Sequence, residues 1–455
     1  VLITFDSLRA DAVGGLGGRP GLMPTLDRLV QEADWAGRGI AASSWEVPAM
    51  ASLFTGLRPW QHQVFEVGRS VLPPELVTLP EAMAAQGYAT AGFWTDHWLS
   101  AKQGYAQGFE VYEPLGRGRR AADRLEHLDG SRQFLWVHIP EPAAPYLRRD
   151  ELIPRLGPDA PEVLPKRILP EQLQPFNDPA KPLPPGRWRR ISAMYRLNAA
   201  QADDRLGRLL AALHESGQWD RTLLVVTSSH GENLGENGQV LHGTNLGRPL
   251  LEVPLVIKLP LGSARRIAEP KERRVAVQRL WSTLVDAVGG EPPPAVAPSL
   301  FRRAPEPILS ELYLVVNANL FSLLDGDVQL LWEAPFAPPE PAYYSALSEV
   351  GRPGAARRLG ESPAAVFARL ADAFAATPPL TGRERPRWTL ERWDAQGSRP
   401  LNDPARAQQL ARRLAAAWHR FAPDDLTPAE ERQEWAPVPE PAAPSGGLPQ
   451  GKRAG

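Results

Sequence analysis

The 455-residue chain has no cysteine, which removes disulfides, thiolate metal sites and a cysteine nucleophile together. It has almost no net charge: Lys+Arg 51 against Asp+Glu 52 leaves -1. No global field therefore draws it to nucleic acid or to an anionic membrane, and any anion recognition must be local. No stretch approaches roughly 18 uninterrupted apolar residues, the length that would suggest a membrane span. There is no initiating methionine either, since Val1 already lies in a strand-like run. We expect that an N-terminal segment is missing, that membrane anchoring would come only through it, and that an extracytoplasmic location is slightly favoured. What the chain has in excess is proline, 49 residues, which predicts many rigid loops.

The stretch around which the rest is organised is Ser43-Ser44-Trp45-Glu46-Val47-Pro48-Ala49-Met50-Ala51-Ser52-Leu53-Phe54-Thr55-Gly56. Pro48 marks a helix start, where a missing N–H costs nothing, and Gly56 marks its stop. Free N–H groups and the positive end of the helix dipole favour an anion there. In this sequence a carboxylate is built in, as Glu46.

Elsewhere, apolar runs end in chemistry-bearing residues. Val1 to Phe5 reads as a buried parallel strand delivering Asp6, Phe134 to Ile139 as a strand carrying His138, and Thr222 to Thr227 as a strand followed by Ser228-Ser229-His230-Gly231-Glu232. In doubly wound sheets ligands bind at the carboxyl ends of such strands. Helical spacing is clear from Met23 to Leu29, from Leu79 to Gln86 and, best of all, from Ile191 to Gly217. A strand at Glu252 to Ile257 and a helix from Val277 to Gly289 complete an alternating α/β pattern. Between Leu147 and Arg187 the chain is proline-rich and without clear periodicity, which predicts a surface insertion.

These motifs, in this order, resemble the sulfatase and alkaline-phosphatase superfamily. The Glu46 stretch resembles its nucleophile segment, Asp6-Ser7-Leu8-Arg9-Ala10-Asp11 resembles the Asp-Thr/Ser-Leu-Arg-x-Asp of related hydrolases, and Ser229-His230-Gly231-Glu232 resembles Asp-His-Gly-Glu. The resemblance covers residues 1 to about 300. It implies a mainly parallel α/β sheet sandwiched by helices, a divalent cation such as Ca, Mg or Mn, and a ligand that is a sulfate- or phosphate-bearing small molecule or glycan. Carried over position by position, it implies Asp6, His230 and Glu46 as metal ligands and Glu46, His242 and His138 as the catalytic set. No organic cofactor and no nucleic-acid partner are expected.

The chain also departs from the family pattern. Glu46 stands where a hydroxyl or thiol nucleophile belongs, Ser229 replaces a metal-binding Asp, Met50 replaces Arg or His, and Ala143 replaces a second His. A neutral hydroxyl in place of a carboxylate weakens a hard-cation site. Two readings follow: an inactive relative with weak cation binding, or a metal-dependent hydrolase of sulfate or phosphate esters that uses Glu46 as a base. The organisation expected is an α/β domain over 1–300, an antiparallel subdomain with a packing helix (Arg406 to Phe421) over 301–423, and a disordered Pro/Ala/Gly-rich tail over 424–455.

Overall fold

A computed structural model describes residues 1–335 and 388–414, with short interruptions. The expected 424–455 tail and the residues from 415 to Phe421 of the expected C-terminal helix lie outside the described residues. The eight strands of the main sheet are β1 (Leu2–Asp6), β2 (Trp35–Ile40), β3 (Ala89–Trp94), β4 (Val111–Pro114), β5 (Gln133–Pro142), β6 (Leu224–Ser228), β7 (Glu252–Lys258) and β8 (Val275–Ala276). Their order is β8-β2-β7-β6-β1-β5-β3-β4. All neighbours run parallel except β7, which is antiparallel to both β2 and β6.

The central strands are apolar on both faces because both faces are covered. Ile3, Phe5, Val137 and Val226 enter one core; Leu2, Trp136, Val225 and Ile257 enter the other. That is the period of two expected of a strand buried between two helical layers. The helices α1 (Pro24–Glu32) and α4 (Arg187–Glu215) contribute to the first core, whereas α2 (Glu46–Thr55), α3 (Leu79–Ala85) and α5 (Arg279–Ala287) contribute to the second.

A five-stranded antiparallel sheet follows: β9 (Ile308–Leu314), β10 (Ala318–Asp325), β11 (Val328–Pro335), β12 (Trp388–Asp394) and β13 (Gly397–Pro400). Asp325 pairs with Val328, so the β10–β11 hairpin turns on Gly326-Asp327, where Gly326 has a positive φ. Leu312, Leu324 and Trp393 from this sheet pack on Ile40 and Ala41, the residues leading toward α2. The proline-rich segment before α4 contains a two-stranded ribbon, Tyr146–Leu147 with Arg167–Ile168, and short helices, so it is structured despite lacking a readable period.

Candidate metal and anion site

β1 and β5 lie side by side with Thr4 opposite His138, and β6 flanks β1 on the other edge, so Asp6, His138 and the segment after Ser228 emerge at one end of the sheet. α2 starts beside them. Its first residue is Glu46, Pro48 is its third, and Gly56 closes it with φ 70°. A proline in this first turn removes an N–H that has no partner inside the helix. Glu46 is 4% exposed, an unusual degree of burial for a carboxylate.

Asp6, Glu46 and His138 offer ligand atoms that all lie within 4.8 Å of one another. Glu46 Oε1 lies 2.8 Å from His138 Nε2. A carboxylate oxygen and a ring nitrogen that close require a proton or a cation between them. The other ring nitrogen, Nδ1, is 2.8 Å from the Thr4 hydroxyl, which also accepts a bond from the Trp136 indole N–H. Because a hydroxyl both donates and accepts, Thr4 supports either tautomer: it can donate to Nδ1 when Nε2 carries the proton, or accept from Nδ1–H when Nε2 is a bare ligand.

His230 approaches Asp6 from the end of β6. Its Nδ1 is 2.8 Å from the Gly231 carbonyl oxygen, which can only accept, so Nδ1 holds the proton and Nε2 is a lone pair. Nε2 is 3.3 Å from Asp6 Oδ1 but outside hydrogen-bond geometry. Burial, reinforced by neighbouring His242, pushes the His230 pKa well below its ordinary value, so the ring is neutral. Two acceptors facing each other in a buried site fit a cation. The donor set of carboxylates and imidazoles suits a divalent metal of intermediate hardness as well as the harder Mg²⁺, Ca²⁺ and Mn²⁺.

The expected metal trio was Asp6, His230 and Glu46. The structure groups His138 with Asp6 and Glu46 and brings His230 against Asp6 alone. His242 stands one step away: its ring centroid is 4.5 Å from that of His230, and its Nδ1 is 3.0 Å from Glu232 Oε1. Glu232 is fully buried and also accepts from the Tyr146 hydroxyl at 3.0 Å. Burial, with that carboxylate beside it, pushes the Tyr146 phenol far up, which keeps it a donor. Ser7 has φ 67° and donates to Asp6 Oδ1 at 2.9 Å, orienting the carboxylate. Ser229 turns its hydroxyl to the Phe5 carbonyl at 3.3 Å.

Thr4 carries no functional signal in the sequence, while Ser7 and Glu232 lie inside the family-like motifs but are given no role there. Thr4 could have been found only from the strand register that sets it opposite His138. Met50 and Ala143 contribute no polar group.

The Sulfatase family profile matches residues 1–124 and 120–290. The multifunctional alkaline phosphatase superfamily protein PehA of Trinickia caryophylli is 36% identical over 110 residues, 24% of this chain and 21% of that protein. The ulvan-active sulfatase of Formosa agariphila is 25% identical over 57% of this chain and 56% of its own length. The human iduronate 2-sulfatase is 24% identical over 78% of each. The chain thus spans about a fifth of the first relative and little more than half of the second. Among solved structures, the phosphonate monoester hydrolase of Silicibacter pomeroyi superposes with a TM-score of 0.56 at 18% identity, covering 88% of this chain and 98% of that one. A protein solved with its substrate D-glucosamine-2-N,6-O-disulfate gives a TM-score of 0.57 at 17% identity, covering 73% and 88%. With the profile matched across both halves of the main sheet and these likenesses in fold, the chain belongs to the Sulfatase family.

Proposed function

We propose that this protein is a non-hydrolytic member of its family that holds a divalent cation weakly at Asp6, Glu46, His138 and His230. In this reading it recognises a sulfate- or phosphate-bearing small molecule or glycan without cleaving it. One observation carries the reading: the first residue of α2 presents a carboxylate, and that carboxylate is already engaged by His138 at 2.8 Å. A carboxylate held this closely by a histidine is a poorer nucleophile toward sulfur or phosphorus than the hydroxyl or thiol that the resemblance implies at this position. A carboxylate at a helix start is stabilised by the dipole and repels an incoming anion. A bound cation would neutralise the facing carboxylates and polarise a sulfate or phosphate oxygen. The ligand class is supported by the sulfated sugar and phosphonate ester named for structural neighbours.

Purified protein supplied with Mg²⁺, Ca²⁺ or Mn²⁺ should not hydrolyse aryl sulfates, phosphate monoesters or phosphonate monoesters above the buffer rate. Metal-dependent turnover that vanishes in Glu46→Ala would overturn the reading and make Glu46 a general base. Cation binding is a separate expectation. Titration calorimetry with MnCl₂ should show weak binding that Asp6→Asn abolishes and that Ser229→Asp tightens about tenfold, since a carboxylate restores a full charge beside Asp6. An unchanged affinity in both variants would show that these residues do not share a site.

A further inference from the structure

Trp188, Ser192 and Arg196 recur at four-residue intervals along α4 and so form one stripe of that helix. The stripe lines a cavity of about 420 Å³ that Arg9, Asp11, Arg19 and Glu236 also line. That volume is within the range of small-molecule sites. Arg9 is committed to its neighbours, with Nη2 2.6 Å from Asp11 Oδ2 and Nη1 2.6 Å from Glu236 Oε1. Arg196, half-buried on the stripe, is near enough to Asp11 to help hold that carboxyl below its ordinary range but makes no hydrogen bond among the described residues, and neither does the Ser192 hydroxyl. Trp188 is 50% exposed, with the Arg189 guanidinium 5.6 Å over its ring, which leaves one face for a ligand.

Three guanidinium groups against two carboxylates leave a single positive charge in the cavity. That balance suits one negative charge; a phosphate dianion would meet Asp11 and Glu236 at a cost. Arg offers a planar fork to a carboxylate or sulfate. Ser192, Asp11 and Glu236 are suited to hydroxyl groups, and an exposed indole gives a flat apolar face to a ring. We propose that this cavity binds a monoanionic saccharide, a pyranose with one carboxylate or one sulfate, with Arg196 holding the anion and Trp188 lying against the sugar face. The site is separate from the Glu46 cluster. It reaches that cluster through Tyr195, whose hydroxyl donates to the Ser7 carbonyl at 2.8 Å and accepts from the Arg9 N–H at 2.9 Å.

Titration calorimetry on the full chain tests this with three probes: a glucuronate-containing disaccharide, singly O-sulfated lactose, and lactose. At least one anionic disaccharide should bind tenfold or more tightly than lactose, and which one does identifies the anion. Arg196→Ala should erase that preference with an unchanged melting temperature, Arg196→Lys should recover part of it, and Trp188→Ala should weaken every probe that binds. Equal or absent binding of the three probes overturns the proposal, as does wild-type behaviour of Arg196→Ala. Binding lost in Glu46→Ala but kept in Arg196→Ala would place the saccharide at the Asp6–Glu46 cluster instead, overturning this site while leaving the proposed function intact.

Discussion

Gly231→Ala should destabilise the protein by about 3 kcal/mol or more, at the upper end of what overpacking costs. A β-carbon at Gly231 would sit 2.0 Å from the Pro249 carbonyl oxygen and 3.3 Å from Arg9 Cγ. The arginine stem can give way, but the carbonyl cannot. The segment is clamped there by two backbone bonds, Gly231 N–H to the Leu250 carbonyl at 2.7 Å and Glu232 N–H to the Pro249 carbonyl at 3.1 Å, so relief means breaking one of them. Since Gly231 sits between His230 and Glu232, the variant should also lose cation binding. Gly217→Ala is the control: nothing lies within 4 Å of its β-carbon and only its φ of 68° resists a side chain, a cost of about 1–2 kcal/mol. Chemical denaturation of the two variants against wild type decides the matter, and equal losses would show that the loop is free to move.

The parts of this fold that could be read from sequence are those where burial and propensity agree. Val1 to Phe5 and Thr222 to Thr227 are β-branched or apolar throughout because helices cover both faces of β1 and β6, and each ends where the pattern turns polar. β2 gave no such signal. Its sequence Trp-Ala-Gly-Arg-Gly-Ile interrupts the apolar run with two glycines and a charge, yet it pairs with β7 over six residues. Gly39 is required by its neighbours, since a β-carbon there would lie 2.9 Å from Val277 and 3.2 Å from Val253 side chains. Its strand character comes from those neighbours and not from local preference.

The candidate site divides in the same way. Asp6, Glu46 and His230 could be singled out because they end a strand, open a helix or follow a strand, positions where charged groups have a purpose, whereas His138, inside β5, and His242 were singled out only by the family resemblance. Their assembly was not legible. That His138, rather than His230, joins Asp6 and Glu46 depends on the β1–β5 register and on the entry of α2, both of them long-range features. The sequence offered a built-in anion for the helix start; the structure gives that anion a histidine at 2.8 Å, an arrangement set by tertiary packing.

His62 should make the protein lose stability as pH falls from about 6.5 toward 3. The ring is fully buried beneath α2; its Nδ1 accepts from the Val64 N–H at 3.1 Å, which leaves the proton on Nε2, 2.9 Å from the Ser52 hydroxyl of α2. Burial, opposed only by a bond to the Pro48 backbone, pushes its pKa down to about 3. The unfolded chain, with an ordinary histidine, takes up a proton near pH 6.5, whereas the folded chain does not until pH is near 3. Between those values the unfolded state binds more protons, so stability is full above the unfolded pKa and declines as the solution is acidified. The shift corresponds to a loss on the order of 5 kcal/mol across the whole window. Protonation would also break the Val64 bond and press a charge against the helix that carries Glu46. Urea denaturation between pH 7.5 and 4, compared with His62→Gln, isolates this contribution from that of the carboxylates. The wild type should lose markedly more stability than the variant over the range, and parallel curves would show that His62 is hydrated and titrates normally.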